Sequence, residues 1–308
     1  MSRVLVAGEI NADLVLQGYS EFPAPGKEVL VDDFALVLGS ASAIMAMGLA
    51  RLGTGVAFVG RVGEDLFGRL CLEEMAGRGI DLSRVVRGGG PKTGLTVSIT
   101  SPRDRALVTY LGAIRALTGA DVPDSSLRGF GHLHTSSFFF QDGLRPGLPE
   151  LFARARRAGL TTSLDTGFDP SGRWDGGLRA ALEQTDLFFP NEVELVAISG
   201  RDDPADGLRA LANGRTRVVA KLGAEGAMTL EAGQVVHVPA FAVETVDTTG
   251  AGDSFNAGFL HAWLRGAPVA DCLRLGAACG ALSTLGLGGT AAQPTLAQAE
   301  ALLQGSGR

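Results

Sequence analysis

The stretch Val246-Asp247-Thr248-Thr249-Gly250-Ala251-Gly252-Asp253-Ser254-Phe255 decides how this chain is read. A turn of small residues runs into an apolar helical pattern (Phe255, Phe259, Leu260, Trp263, Leu264), with carboxylates at both ends of the turn. Gly250 and Gly252 let backbone N–H groups crowd together without Cβ clashes. The start of the following helix adds unpaired N–H donors and a positive dipole end. Such a turn can cradle an anion, and a carboxylate beside it can take a proton from a hydroxyl. Phosphoryl transfer needs both parts. An ordinary strand–helix turn with Asp253 near the N-cap fits the local sequence as well.

The bulk composition narrows the class. At 308 residues with 45% hydrophobic content, the chain can bury the core of one large α/β domain. A formal charge of −6, with 27 Lys and Arg scattered and no basic run longer than Arg156-Arg157, argues against nucleic acid as a partner. Cys71, Cys272 and Cys279 lack metal-ligand spacing and read as buried small hydrophobes. Glu9 and Asp13 interrupt the N-terminal apolar run, so no signal-peptide core is expected. The longest uncharged apolar run, Val37 to Ala50, is too short to span a bilayer. These features predict a cytoplasmic protein without a membrane partner.

Short apolar runs alternate with amphipathic ones. Val4–Gly8, Ala57–Gly60, Leu133–Ser136, Thr161–Asp165, Leu187–Phe189 and Val218–Leu222 read as buried parallel strands. Leu148–Ala158, Gly177–Gln184, Glu192–Ile198 and Ala205–Asn213 read as helices between them, followed by Gly252–Arg265, Val269–Leu285 and Leu296–Leu303. Alternating βαβ units predict a doubly wound, mostly parallel sheet with helices on both faces. Two segments, at about 14–38 and 92–111, show strand alternation instead. They are expected to be antiparallel hairpins, the second turning at Ser101-Pro102-Arg103-Asp104, and to form a small β lid on one domain spanning 1–308.

Six motifs in order give the chain a family resemblance. DTTGAGDSFNAGFL, starting at Asp247, resembles the C-terminal signature of the ribokinase-like (PfkB-type) carbohydrate kinases. Gly8-Glu9-Ile10-Asn11-Ala12-Asp13 resembles the family's first strand and sugar-contacting turn. Leu38-Gly39-Ser40-Ala41-Ser42, leading into Ala50-Arg51-Leu52-Gly53, resembles its N-terminal signature. Val59 to Gly68 matches its G-x-V-G-x-D-x-x-G turn, Pro190 to Glu194 its N-x-x-E motif, and Leu222 to Gly226 its L-G-x-x-G loop.

The resemblance implies transfer of the ATP γ-phosphoryl to a hydroxymethyl group of a small sugar or sugar acid. Asp253 would be the base, already ionised at neutral pH if its pKa is ordinary. Gly250, Ala251 and Gly252 would form the anion hole. Asn11, Asp13, Gly39 and Ser40 would contact the acceptor. Asn191, Lys221, Gly223, Gly226 and Thr248 would face the nucleotide, and Glu194 would hold Mg²⁺ through water. Asp247 and Thr249 stand where many members offer oxygen ligands to a monovalent cation such as K⁺, with carbonyls near Gly289 as additions. A homodimer formed through the lid is also implied. Read locally, Asn191-x-x-Glu194 is equally an N-cap with its capping-box acid.

The chain departs from the pattern on the acceptor side. The usual Gly-Gly pair is Gly39-Ser40, Ile44 stands at an Asn position, and Leu111-Gly112-Ala113-Ile114 replaces a Gly-Ala-Asn segment. Asp165 to Trp174 matches a D-x-N-x-R-x-x-W segment only in outline. Ser40 and Ser42 keep hydroxyls nearby, and Arg103 and Arg105 at the hairpin tip are candidates for meeting a substrate phosphate. A nucleoside kinase, a sugar-phosphate kinase or a silent binding protein of the same fold are the alternatives. An NAD-type oxidoreductase is disfavoured because no G-x-G-x-x-G follows the first strand. His132 and His134 read as structural, and Phe138-Phe139-Phe140 as packing.

Overall fold

The first strand, β1 (Val4–Ala7), is buried throughout. Val4 and Val6 enter one hydrophobic cluster and Leu5 and Ala7 another, so helices cover both faces of the sheet it centres. In the computed structural model, which describes residues 2–19, 21–100 and 105–305, the chain continues as β2 (Asn11–Gln17), β3 (Asp33–Leu38), α1 (Ala41–Arg51), β4 (Val56–Val62), α2 (Leu66–Gly77), β5 (Asp81–Arg87), β6 (Gly94–Thr100) and β7 (Arg105–Tyr110). Then follow α3 (Asp124–Leu127), β8 (His132–Thr135), α4 (Leu148–Arg157), β9 (Thr161–Leu164), α5 (Leu178–Leu182), β10 (Leu187–Phe188), α6 (Glu192–Ser199) and α7 (Pro204–Ala210). The last elements are β11 (Arg217–Lys221), β12 (Ala227–Glu231), β13 (Gln234–Val238), α8 (Ala251–Trp263), α9 (Val269–Ser283) and α10 (Leu296–Gly305).

The main sheet has nine strands in the order β13-β12-β11-β10-β9-β8-β1-β4-β5. It is parallel from β11 to β5, and the β11-β12-β13 edge is antiparallel. The strand order reverses between β1 and β8, which opens a crevice at their carboxyl ends, the usual ligand position in such sheets. Residues that follow those ends (Glu9, Ser137, Asp165, Asn191) and Lys221, the last residue of β11, therefore share one rim with the N-terminus of α8.

The predicted lid is a separate four-stranded sheet, β3-β2-β6-β7. Each hairpin is antiparallel, and the two join through a parallel β2–β6 pairing. The turn expected at Ser101–Asp104, with Arg103, and the Arg105 side chain lie outside the described residues. The Val59–Gly68 motif anchors this lid. Asp65 caps α2 by accepting from the Gly68 N–H at 2.9 Å and also takes the Thr93 N–H at 2.8 Å, while Thr93 Oγ1 accepts from the Gly63 N–H. A Cβ at Gly68 would stand 2.6 Å from the Gly63 carbonyl, so the turn has no room for a side chain there.

All three cysteines are buried, and burial pushes each thiol up, to about 11 or 12. Phe138 and Phe139 pack in the core. No helix among the described residues is long and apolar enough to cross a membrane.

Candidate active site

Asp253 stands in the first turn of α8, whose N-cap is Gly250 at φ 72°. A side chain at Gly250 would be strained by that dihedral and would press on Gly289 Cα, 2.7 Å from the added Cβ. Among the described residues, the Gly250, Gly252 and Asp253 N–H groups have no hydrogen-bond partner, whereas Ala251 N–H donates to the Thr248 carbonyl at 3.2 Å. The turn is braced from outside. Asp247 Oδ1 accepts from the Thr249 N–H and hydroxyl, and Oδ2 accepts from the Gly288 N–H at 2.9 Å. Thr248 is exposed beside it.

The half-buried Asp253 carboxylate accepts no hydrogen bond among the described residues. Loss of bulk water, and then the neighbouring Asp165, raise its pKa to about 7 against the pull of Lys221, with Glu9 and Glu194 adding to the rise. This corrects the sequence-based expectation of an ordinary, fully ionised Asp. Composition along the chain could not reveal it, because the acids responsible converge only in the fold.

Lys221, at the end of β11, donates to Asp165 Oδ2 at 2.6 Å. Burial opposes its charge, but Asp165, Glu194 and Asp253 outweigh burial and hold the ammonium above its usual range. Gly252 passes close by: a Cβ there would be 3.4 Å from Lys221 Nζ. Gly223 and Gly226 shape the loop after β11, at φ 57° and 95°, and a Cβ at Gly226 would overlap the Val238 carbonyl.

The Asn191–Glu194 pair forms the capping box in full. Asn191 Oδ1 accepts from the Glu194 N–H, and Glu194 Oε2 accepts from the Asn191 N–H, both at 2.9 Å. Asn191 Nδ2 also donates to Glu194 Oε1 at 2.9 Å. Glu194 is buried, and burial followed by Asp165 lifts its pKa to about 7. Asp165 raises and Lys221 lowers that pKa, and no group of three or more acidic, His or Cys side chains among the described residues is arranged to hold a metal ion directly.

On the acceptor side, Asn11 Nδ2 donates to Asp13 Oδ1 at 2.8 Å, so the two polar side chains that alternate along β2 do meet. Gly39 lies directly on them, and a Cβ there would overlap the Asp13 carboxylate. Ser40 is the N-cap of α1 at φ 76°. Its hydroxyl donates to the Glu9 carbonyl at 2.5 Å and accepts from the Ala43 N–H. The Ser42 hydroxyl donates to Glu9 Oε2. Both serine hydroxyls thus hold Glu9, which sequence reasoning had left without a role. Glu9 also accepts from the Ser42 N–H at 3.0 Å and the Ser137 hydroxyl at 2.8 Å, a buried carboxylate spanning the β1–β8 crevice. Ile44 is buried against Gly250 and Gly289. Ile114 is also buried, packed against Gly94.

His132 and His134 are fully buried, and each bonds through both ring nitrogens to hydroxyls, His132 to Thr161 and Ser163 of β9 and His134 to Ser163 and Ser136. Asp165 and Asn256 lie within quoted motifs but were given no role from the sequence. The available signal for Asp165 was a carboxylate at the carboxyl end of a largely buried strand.

Residues 1–296 match the pfkB family carbohydrate kinases. Over 300 residues the chain is 32% identical to an ATP-dependent ribose-1-phosphate kinase of Halopiger xanaduensis, covering 96% of each chain. It is 31% identical to a 2-dehydro-3-deoxygluconokinase of Bacillus subtilis, covering 86% of each. The structure of Arabidopsis thaliana ribokinase complexed with ribose and ATP superposes with a TM-score of 0.85 at 25% identity, covering 98% of this chain and 99% of that one. With the ribokinase-like fold, the lid and the braced glycine turn of its C-terminal signature all present, the chain belongs to the pfkB family and is a carbohydrate kinase.

Proposed function

We propose that this kinase transfers the γ-phosphoryl group of ATP to a hydroxymethyl group of a small sugar-like acceptor, with Asp253 as the base. The observation that carries the reading is the Asp253 carboxylate itself. It is free of hydrogen-bond partners among the described residues, stands beside the unpaired N–H groups of Gly252 and Asp253, and is poised near pH 7. A base with that pKa can take the acceptor's proton as the oxygen attacks. The Gly250 and Gly252 N–H groups and the α8 dipole stabilise charge on the transferring group, while the Ala251 N–H, expected to join them, is given to the Thr248 carbonyl. Lys221 offers a positive charge on the nucleotide side of Gly252, beside Asn191 and ahead of the Gly223–Gly226 loop, and Thr248, exposed in the turn, is the remaining nucleotide contact.

Glu194 and Asn191 are the residues that would hold Mg²⁺ through its water shell. When bound, the ion neutralises charge on the phosphates. Asn11 and Asp13 bind acceptor hydroxyls, and Gly39 lets the chain approach them. Asp247 acts as the clasp of the turn, and dependence of turnover on K⁺ tests whether a monovalent cation also sits there.

A second reading, an acceptor that carries an anionic group, is favoured by one observation. A cavity of about 600 Å³ at the carboxyl ends of β8 and β9 is lined by Arg115, Arg145 and Arg173 together with Asp142, Asp169 and Asp175. Arg115 and Arg145 share a single carboxylate, Asp142. Asp169, also in the lining, is turned to the Ser171 and Trp174 N–H groups. The ribose-1-phosphate and dehydrodeoxygluconate named for the two relatives are acceptors of this kind.

The apolar side chains exposed on the outer lid strands, Phe34, Leu107, Val108 and Tyr110, support a homodimer through the lid. Sedimentation of the purified chain as a monomer across micromolar concentrations would exclude it.

An ADP-release screen over neutral sugars, sugar acids, sugar phosphates and nucleosides tests the reaction. Stimulation by anionic sugars alone selects the second reading, and stimulation by nucleosides alone rejects both.

A further inference from the structure

Asp165 occupies the first position after β9 and is buried. Its Oδ2 accepts from Lys221 Nζ at 2.6 Å and from Asn256 Nδ2 at 2.7 Å, and its Oδ1 accepts from the Gly167 N–H at 3.0 Å. One carboxylate oxygen thus joins the end of β11 to the start of α8. Asn256 lies one helical turn after Asp253, on the same face of α8. Gly252 crosses over Lys221 on that same side. The parts that must be aligned for transfer, the ammonium and the first turn of α8, are therefore fastened to a residue that itself sits below them.

A purely structural role explains this poorly. Two charges buried together are weak evidence for stability, because desolvation offsets much of their attraction. Here the acid also costs the site something, since it stands near Asp253 and Glu194 and works against their ionisation.

We propose that Asp165 is a positioning residue for phosphoryl transfer: by holding Lys221 and Asn256 on one oxygen, it sets the Lys221 ammonium against the Gly252–Asp253 turn. The inference rests on the kinase reading above. It acts through Lys221, so its loss has no effect once Lys221 is gone.

The test compares the full chain with Asp165→Asn, Lys221→Met and the double variant, using the acceptor that stimulates ADP release most strongly in wild type. The asparagine keeps an oxygen for Asn256 and loses the charge that holds Lys221. Asp165→Asn is expected to lower kcat by about 10- to 100-fold, the scale of a small misplacement, with KM for the acceptor nearly unchanged. The double variant is expected to match Lys221→Met. Near-wild-type kcat in Asp165→Asn, or losses that multiply in the double variant, would overturn the proposal. If Asp165→Asn does not fold, the Lys221→Met background, which leaves no ammonium unpaired, decides: equal kcat with and without Asp165→Asn supports the proposal, and a further loss overturns it. A wild-type chain inactive with every acceptor overturns the kinase reading and this inference together. An active wild type with an unchanged Asp165→Asn overturns this inference alone.

Discussion

Ile44 of α1 packs on Gly250, the N-cap of the helix that carries Asp253. A Cβ on Gly250 would stand 3.0 Å from Ile44 Cγ2, and one on Gly289 would overlap Ile44 Cδ1. An apolar side chain, where the family resemblance implies an amide, thus serves as the floor of the glycine turn and ties α1 to the start of α8. Ile44→Ala should cost about 2–5 kcal/mol by removing buried methyl groups and should also lower kcat by loosening the turn. Denaturant unfolding and steady-state kinetics on the same preparation measure both. Unchanged kcat with reduced stability would restrict Ile44 to packing.

Asp253→Asn should reduce turnover by orders of magnitude while nucleotide affinity largely survives, because the change removes the base and keeps the fold of the turn. Calorimetric titration with an ATP analogue beside the ADP-release assay separates the two. Normal turnover would show that the base lies elsewhere.

The pH dependence has a definite sign. Asp253 titrates in the fold at about 7 and ordinarily near 3.8, so the folded state holds this proton more tightly. Its contribution to stability is therefore greatest below about pH 4 and declines as pH rises toward and through 7. Asp253→Asn should melt higher than wild type at pH 8, and the difference should shrink toward pH 4. In wild type, kcat/KM should fall as pH drops below about 7. Melting curves in matched buffers check the first statement, and a pH–rate profile flat from 6 to 8 would contradict the second.

Ser40 combines a left-handed backbone with a capping side chain, two features that usually call for different residues. Ser40→Gly relieves the dihedral and loses the cap, so stability should change little. Ser40→Ala keeps the strain and loses both hydrogen bonds, and should cost about 1–2 kcal/mol. Chemical denaturation of the two variants tests this ordering, and a reversed order would mean that the dihedral carries no strain.

Gly39→Ala should raise KM for the acceptor at least tenfold with little change in ATP affinity, because the new methyl group overlaps the Asp13 carboxylate. Acceptor and nucleotide titrations distinguish this from general damage, which would weaken both.

Much of this was legible along the chain, and the exceptions share a cause. The six parallel strands read from apolar runs are all present, as are the helices between and after them, because periodicity and burial are properties of contiguous residues. The β12–β13 hairpin escaped notice because its two-residue turn is Ala232-Gly233, both with positive φ, where an Asn-Gly or Asp-Gly pair would have announced it. Edge strand β5 alternates only weakly, being part-exposed along its length.

The doubly wound fold, the lid and the kind of reaction are legible in contiguous residues, since the apolar runs, the glycine turn, its acid and the helix after it are each continuous in the chain. How that acid is tuned depends instead on residues that meet only in the fold. Asp165 and Lys221 are 56 residues apart, and Glu9 and Ser137 are 128 apart. They meet because the strand order sets their carboxyl ends side by side. The charge on Asp253 depends on how many acids that order gathers and how little water remains between them, and neither quantity is written in any local stretch of sequence.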